Sequence, residues 1–288
     1  MEENLGLTGE LMGFRISTNI SSLNGQRSLA TSQKVINDSY NQLSSGSRIN
    51  EAGDDAAGLA ISEQFKAEIH SNRQANRNAN DGISMVQTAE GGLNEISNIV
   101  TRLRELGMQA ASDTIGNTER SMVNVEVNNL KNEIQRIAKT TRWQENTLLD
   151  GTAPNIDLQV GIFNNSFEDR ITFRSGDNSA TLDALDLTNI DFATKEGAQR
   201  ALGMLDEAHT RVNSTRASIG ALQNRLISTS SNLSIQEESM AASNSRIRDT
   251  DVAHSTSELT RNTVLLNSGT ATLAQANQTP GMALKLIS

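Results

Sequence analysis

Few side chains in this sequence are placed to do chemistry, and the clearest pair is Asp54 and Asp55. Two neighbouring carboxylates can serve as a general acid and a general base when their pKa values differ. These two follow Gly53 and precede an alanine-rich segment. Acidic residues at such a position cap the start of a helix and offset its dipole. We therefore predict that the pair caps a helix, with Asp54 as the N-cap and Asp55 in the first turn.

Other motifs of catalytic, metal or phosphate sites are also missing. The histidines His70, His209 and His254 stand far apart, and none belongs to an H-E-x-x-H motif. The pair Gly91 and Gly92 lacks the G-x-G-x-x-G spacing that binds a pyrophosphate, and no serine lies in a G-x-S-x-G elbow. The sequence predicts a protein that is not an enzyme, with no catalytic residues, no cofactor and no metal.

The composition excludes further classes of protein. The 288 residues include 25 basic and 34 acidic side chains, a net charge of −9 that disfavours nucleic-acid binding. The absence of cysteine excludes disulfides and thiolate metal sites. No apolar run approaches the roughly 18 residues of a membrane span, and the three glutamates among residues 1–14 argue against a secretory signal. With only six Phe, one Tyr and one Trp, extended helices with narrow apolar seams are expected.

The strongest periodic pattern lies in the C-terminal half. Apolar and small residues alternate at spacings of four and three between positions 201 and 240, which predicts one long helix over residues 196–247 that packs on partner helices. The predicted seam of this helical rod contains Leu205, Val212, Ile219, Leu222, Leu226 and Leu233.

Partner helices are predicted upstream, over residues 54–91, around 93–103 and over 123–137. The last of these helices is predicted to have Asn117 or Thr118 as its N-cap and to end near Trp143. Alternating apolar residues from Ile156 to Phe173 predict one β-hairpin, and residues 174–194 a short connection. The predicted fold class is mainly α, a long antiparallel helical rod or coiled-coil bundle with one small β-hairpin.

Both ends of the chain carry thin apolar stripes. Alternate members of the C-terminal stripe are threonines, so each helix would bury too little apolar surface to offset the entropy of ordering it. We expect both ends to be loose in the monomer and to fold against other copies of the chain. The predicted polymerisation stripe consists of Ile20, Leu23, Leu29, Ile36, Tyr40, Val252, Leu259, Leu266 and Leu273.

Several long motifs resemble those of bacterial flagellins. They include QLSSGSRINEAGDDAAGLAISE at residues 42–63, LDEAHTRVNSTRASIGALQNRL at 205–226 and SRIRDTDVA at 245–253. The resemblance implies an inner-core coiled-coil domain of residues 13–54 and 248–288 and a helical rod domain of residues 55–247. The connection 174–194 would replace the variable outer domains. Residues 1–12 would be a leader or a misassigned start, with Met12 as the initiator.

The resemblance also implies a function and partners. The chain would be a structural subunit that polymerises, alone or with other flagellins, into the extracellular flagellar filament used for swimming; the alternative is the hook–filament junction protein. Implied partners are a flagellar export chaperone of the type III pathway, the filament cap and the hook-associated junction proteins. A Toll-like receptor would contact Arg102, Leu106 and Glu126. Neither nucleic acid nor a membrane is an expected partner.

Overall fold

The structure, a computed structural model, describes residues 18–287 and the side chains of residues 18–278. The predicted leader and the predicted start at Met12 lie outside the described residues. The described chain divides into two compact units. Unit 1 contains the residues up to Phe65 and those from Ala242 onward, and unit 2 contains Lys66–Ala241.

Five long helices account for most of the described chain, and the predicted mainly α fold class is confirmed. Two pairs of short antiparallel strands lie between the third and fourth helices. The helices are α1 (Ile20–Ser45), α2 (Ala56–Ala110), α3 (Asn117–Thr140), α4 (Lys195–Arg248) and α5 (Val252–Ile287), and the strands are β1 (Arg142–Trp143), β2 (Asn146–Thr147), β3 (Ile156–Gln159) and β4 (Arg170–Phe173).

The predicted β-hairpin is present, and a second strand pair accompanies it. Strands β3 and β4 are antiparallel, with Ile156 opposite Phe173. The prediction of a single hairpin was wrong, because β1 and β2 also pair, around a tight turn in which Gln144 has a φ of 53°. Strands of two residues are too short to show the alternation by which a strand is recognised in a sequence.

The prediction of separate helices on either side of Gly91 was wrong, since α2 continues through it. The neighbouring Gly92 is a position of close packing. A Cβ atom on Gly92 would lie 2.6 Å from Thr141 Oγ1 and 2.8 Å from Leu149 Cδ1. A glycine inside a helix can therefore mark a close approach of another segment as well as a break.

Two predicted helix starts are displaced by one residue. Helix α2 begins at Ala56, and the backbone N–H of Gly58 donates to Asp55 Oδ1 at 2.9 Å, so Asp55 and not Asp54 is the N-cap. Helix α3 is preceded by Gly116, which offers no side-chain cap, and Asn117 is already helical.

Helix α3 also ends earlier than predicted, at Thr140 instead of near Trp143. The next residue, Thr141, has an extended backbone, and the strand Arg142–Trp143 begins directly after it. The pairing of β1 with β2 thus fixes the end of the helix.

Unit 2 has one apolar core, built from α2, α3, most of α4 and the β3–β4 hairpin. The connection after β4 contributes more to this core than its polar composition suggests. Its buried apolar residues lack a regular period, which is why the sequence pattern did not reveal them; they are Ala180, Leu185, Leu187, Ile190 and Phe192.

A buried arginine secures the turn between α2 and α3. The side chain of Arg120 is buried, and its Nε donates to the carbonyl oxygen of Ala110 at 2.8 Å. Its terminal nitrogens donate to the carbonyl of Ser112 at 2.8 Å and to Asn117 Oδ1 at 3.0 Å. The guanidinium therefore satisfies carbonyl groups that the end of a helix leaves without partners.

Replacement of Arg120 by methionine is expected to lower the free energy of unfolding of unit 2 by about 1–3 kcal/mol, because two carbonyl groups lose their donors in a buried place. Urea unfolding followed by circular dichroism measures this change. The control is Arg136→Met, which breaks an exposed i,i+3 pair with Glu133 and should cost less than about 1 kcal/mol. Equal losses in the two variants would contradict a capping role for Arg120.

Candidate assembly surfaces

Helices α1 and α5 of unit 1 pack side by side in antiparallel orientation. The start of α1 meets the far end of α5, where Asn19 Nδ2 donates to the carbonyl oxygen of Ala276 at 2.8 Å and Ser22 Oγ donates to Asn277 Oδ1 at 2.8 Å. At the other end, Ser255 Oγ donates to the side chain of Gln42 at 3.4 Å. The two predicted terminal stripes therefore meet within one chain.

Small residues of one helix face large residues of the other along this contact. A Cβ atom on Gly25 would lie 3.4 Å from Leu273 Cδ1, and one on Gly269 would lie 2.8 Å from Leu29 Cδ2. In both pairs the residue numbers add up to 298, so one register relates the helices. The same register places Ser32 opposite Leu266, Ile36 opposite Asn262 and Ser39 opposite Leu259.

The sequence pattern did not reveal the small members of this contact. Ser22, Ser39 and Ser255 are buried, although serine is mostly exposed in proteins. Position could have indicated two of them, since Ser39 lies three residues from Ile36 and Ser255 lies four residues from Leu259. Five members of the predicted stripe, Leu29, Ile36, Leu259, Leu266 and Leu273, are partly or fully buried.

Other large apolar residues of α1 and α5 face away from this contact. The predicted stripe members Ile20, Leu23, Tyr40 and Val252 are 48–62% exposed. Val264 and Leu265, which were not in the predicted stripe, are 62% and 51% exposed. Each of the two helices thus has one apolar set that it uses within the chain and a second set that it presents to the outside.

The threonines of α5 direct their hydroxyl groups to their own helix. Thr256 Oγ1 donates to the carbonyl oxygen of Val252 at 2.6 Å, and Thr260, Thr263 and Thr272 make the same bond to the carbonyl four residues earlier, at 2.8–2.9 Å. The hydroxyl groups of these exposed side chains are therefore satisfied inside the helix.

The ends of α1 and α4 are tied together within unit 1. Gly46 ends α1 with a left-handed φ of 71°, and its carbonyl oxygen accepts from the backbone N–H of Thr250 at 3.0 Å. The backbone N–H of Arg48 donates to the carbonyl of Arg248 at 2.6 Å, while the Arg248 side chain pairs with Glu63. This arrangement fixes the turn by which the chain leaves α1.

The carboxylate of Asp54 closes the same turn. Its Oδ2 accepts from the backbone N–H groups of Asn50 at 3.0 Å and of Glu51 at 3.1 Å. The bond from Glu51, followed by the one from Asn50, lowers the pKa of Asp54 below its ordinary value of 3.8, and the charge of Lys34 adds a smaller effect. Asp54 is thus a structural acid and not half of a proton-exchanging pair.

A carbon-detected NMR titration of the full-length chain is expected to give an Asp54 pKa below 3.8. Because the folded-state pKa is depressed, the charged form stabilises the turn above the unfolded-state pKa, and this stability is lost as the pH falls through the folded-state value. The variant Lys34→Met should retain most of the depression, since the backbone bonds cause it. A midpoint at or above 3.8 in the unaltered chain would contradict this assignment.

The predicted α4 seam lies in unit 2. Leu205, Val212, Ile219, Leu226 and Leu233 are buried, and Leu222 is partly buried against the core. Where α4 approaches the boundary of unit 2, its contact with α2 is made by polar groups instead of apolar ones. There Arg73 Nε pairs with Glu237 Oε1 at 2.6 Å, and Asn76 bonds to Ser234 at 3.0 Å and to Ser230 at 2.7 Å.

The residues predicted to contact an innate receptor form two layers. Arg102 pairs with Glu105 and with Glu126, each at 3.0 Å, on the exposed surface of α2 and α3. These bonds, the one from Glu105 first, raise the pKa of Arg102 further above its ordinary value. Leu106 is buried in the core, so as placed here it supports this surface from below.

Within the part of the chain that the structure describes, no group of three or more acidic or histidine side chains could hold a metal ion. His70 and His254 are exposed, and His209 Nδ1 bonds to Asn213 at 2.9 Å on its own helix. Among residues 18–287, no helix is both long and apolar enough to cross a bilayer.

Two protein-family models match most of the chain. The bacterial flagellin N-terminal helical region matches residues 16–153, and the bacterial flagellin C-terminal helical region matches residues 202–287. The chain belongs to the bacterial flagellin family. The unmatched middle contains the β3–β4 hairpin and the buried connection that follows it.

Similar flagellins cover nearly the whole chain. A flagellin of Halalkalibacterium halodurans is 39% identical over 284 residues, which are 94% of this chain and 99% of that relative. The flagellar filament core protein flaB2 of Brachyspira hyodysenteriae is 38% identical, over 94% of this chain and 99% of its own. A flagellin of Bacillus subtilis is 37% identical, over 95% and 100%.

Membership of the flagellin family gives the chain its general role. It is a structural subunit that assembles with copies of itself into the flagellar filament, and the family is one of structural proteins and not of enzymes. No observation favours the alternative of a hook–filament junction protein. The helix pair of unit 1, with its inner and outer apolar positions, is the surface of this flagellin whose chemistry best suits such assembly.

Proposed function

We propose that this flagellin is exported unfolded by the flagellar type III pathway and that α1 and α5 become fully ordered only in the extracellular filament. The observation that carries the proposal is the set of exposed large apolar residues on both helices of unit 1. Complete burial of a large apolar side chain contributes about 1.5–3 kcal/mol, and these side chains, which are 48–62% exposed, gain only part of it in the isolated chain. The residues are Ile20, Leu23, Tyr40, Val252, Val264 and Leu265.

The inner contact of α1 with α5 is thin, which supports the same proposal. The layers related by the shared register join one large residue to a glycine, a serine or an asparagine. Such layers bury little apolar area, and ordering a backbone costs about 1–2 kcal/mol per residue. Coverage of the outward residues by neighbouring copies would supply the missing stabilisation. Head-to-tail contacts that do not close into a ring would then extend the filament.

The proposed mechanism assigns different roles to the two predicted domains of the chain. Residues 13–54 and 248–288 would form the inner-core domain, and residues 55–247 the rod domain, in which Leu205, Val212 and Leu226 hold α4 against its partners. An export chaperone, the filament cap and the hook-associated junction proteins would handle the chain before and during assembly. No nucleic acid or cofactor takes part.

Salt-induced polymerisation of the purified chain tests the proposal, with negative-stain electron microscopy as the readout. Long homopolymers are expected, whereas a junction protein would stop at short assemblies. Deletion of residues 252–288 should abolish polymerisation while circular dichroism still shows a folded unit 2. Filaments that form without α5 would overturn the proposed role of the helix pair.

Recognition by a Toll-like receptor is a separate part of the proposal, carried by the exposed cluster of Arg102, Glu105 and Glu126. Reporter cells exposed to purified monomer should respond, and Arg102→Ala should weaken the response. The control is Arg136→Ala, an exposed arginine on α3 outside the predicted contact. A wild-type monomer that stays silent at saturating dose would reject this interaction.

A further inference from the structure

The dipeptide Asn24–Gly25 lies in the second turn of α1, within the contact with α5, and it is the only Asn–Gly dipeptide in the sequence. Leu273 packs against Gly25, with its Cδ1 3.4 Å and its Cβ 3.9 Å from where a Cβ on the glycine would be, which are ordinary van der Waals distances. Asn24 itself is exposed, and its Oδ1 accepts from the terminal nitrogen of Arg27 at 3.1 Å. An exposed asparagine therefore stands directly before a glycine at a point where α1 contacts α5.

An Asn–Gly step can modify itself with water as the only other reactant. The backbone nitrogen of the glycine loses its proton and attacks the side-chain carbonyl carbon of the asparagine. The new N–C bond closes a five-membered succinimide, the bond to the side-chain amide nitrogen breaks, and that nitrogen leaves as ammonia. Water then opens the ring at either carbonyl, which yields aspartate or isoaspartate. Glycine favours the attack because it has no Cβ to hinder it.

A formed α1 helix blocks this reaction. The attack requires the backbone of Asn24 to leave the helical ψ of about −42°. It also requires the N–H of Gly25 to be released from the carbonyl four residues earlier. Both conditions are met when α1 is frayed. A helix with so many serine, asparagine and threonine residues depends on its partner helix for stability.

We propose that Asn24–Gly25 is a spontaneous modification site whose deamidation is suppressed when α1 is paired with α5. The proposal rests on the proposed function, in which pairing is completed during assembly. Isoaspartate lengthens the backbone by one methylene group and adds a carboxylate beside Gly25, so a modified α1 can no longer pair in its register. Chains that remain unassembled would lose competence with age, while chains in the filament would be protected.

Peptide mapping by mass spectrometry measures the reaction at this site. Trypsin cuts after Arg15 and Arg27, and the resulting peptide contains both Asn24 and Asn19. Asn19 is followed by Ile20, whose branched side chain hinders the attack, so it serves as an internal reference. The full-length chain is incubated at mildly alkaline pH and sampled over time. Deamidation at Asn24 is expected to exceed that at Asn19.

Two variants test whether the pairing of α1 with α5 controls the rate at Asn24, since neither changes the Asn–Gly dipeptide itself. Gly269→Leu overfills the layer that contains Leu29, and we expect Asn24 to deamidate about tenfold faster in it, which corresponds to about 1.4 kcal/mol of lost pairing. The exchange Leu29→Gly with Gly269→Leu restores one large and one small residue in that layer. It should return the rate toward that of the unaltered chain. Asn24→Gln should abolish the reaction at this position.

The outcomes distinguish this proposal from the proposed function. Equal rates at Asn24 in the unaltered chain and in Gly269→Leu would overturn protection by pairing, and a rate no higher than that of Asn19 would overturn the site itself. If filaments form and their Asn24 reacts as fast as that of monomers, the inference alone fails. If the unaltered chain forms no filaments, the proposed function fails, while the comparison of variants still tests the inference.

Discussion

Replacement of Gly269 by leucine is expected to abolish filament formation. Even the first carbon of a side chain at position 269 would lie 2.8 Å from Leu29 Cδ2, and leucine adds three more carbons to a layer that Leu29 already fills. Overpacking of this kind costs about 1–3 kcal/mol, and the α1–α5 contact has few other large residues to compensate for it. Sedimentation after salt-induced polymerisation measures the loss.

The exchange variant, Leu29→Gly with Gly269→Leu, provides the control for this prediction. It contains the same residues as the unaltered chain and again has one large and one small side chain in the layer, so it should recover most of the polymer. Helix propensity does not explain a rescue, because the exchange moves one glycine from α5 to α1. If the single variant polymerises normally, size matching between the two helices does not control assembly.

Replacement of Leu226 by alanine is expected to lower the free energy of unfolding of unit 2 by about 2–5 kcal/mol. Leu226 is fully buried, and its Cδ1 lies 3.4 Å from where a Cβ on Gly82 would be, so truncation leaves a cavity between α4 and α2. Urea unfolding followed by circular dichroism measures the change, with the slope of the transition expected to remain constant.

The adjacent Ile227 supplies a matched control, since it belongs to the same helix turn but is 48% exposed. Ile227→Ala should change the free energy of unfolding by no more than about 0.5 kcal/mol. The difference between two neighbouring residues isolates burial from helix propensity. A loss at Ile227 as large as that at Leu226 would show that the heptad period does not define the core face of α4.

The extent of α4 was predictable from the sequence because its heptad pattern runs without a slip, and a long periodic pattern leaves only one face for the core. The prediction of Glu196–Ile247 differs from the observed Lys195–Arg248 by one residue at each end. The β3–β4 hairpin was predictable for the corresponding reason, since its residues alternate. Regular periods report on secondary structure and on which face is buried.

The errors arose where the deciding contact comes from another part of the chain. Gly91 was taken as the end of a helix, but α2 continues through it, and the approach of Thr141 and Leu149 explains the glycine at the next position, Gly92. The error at Asp54 is an exception, because the backbone groups that engage this predicted helix cap belong to Asn50 and Glu51, only four and three residues away. A pattern within one segment contains no information about which distant residue will pack on it.

The contact between α1 and α5 in unit 1 could likewise not be predicted from the sequence of either helix alone. The leucines of α5 were recognisable at every seventh residue, but the glycine and serine positions between them gain meaning only from the opposite leucines of α1. Size matching is a property of two helices together. The outward apolar residues, in contrast, were partly predictable, as the exposed Ile20, Leu23 and Val252 belong to the predicted stripe.

Because of its threonine hydroxyls, the α5 segment exposes a more polar surface when it is extended than when it is helical. In an extended chain these groups face water, and the segment behaves as a hydrophilic polymer that resists aggregation. Once the helix forms, Thr256, Thr260, Thr263 and Thr272 turn their hydroxyls to carbonyl groups of their own backbone, and methyl groups make up the remainder of those side chains. Helix formation thus makes the surface of this segment less polar than that of the extended chain, although its residues are the same.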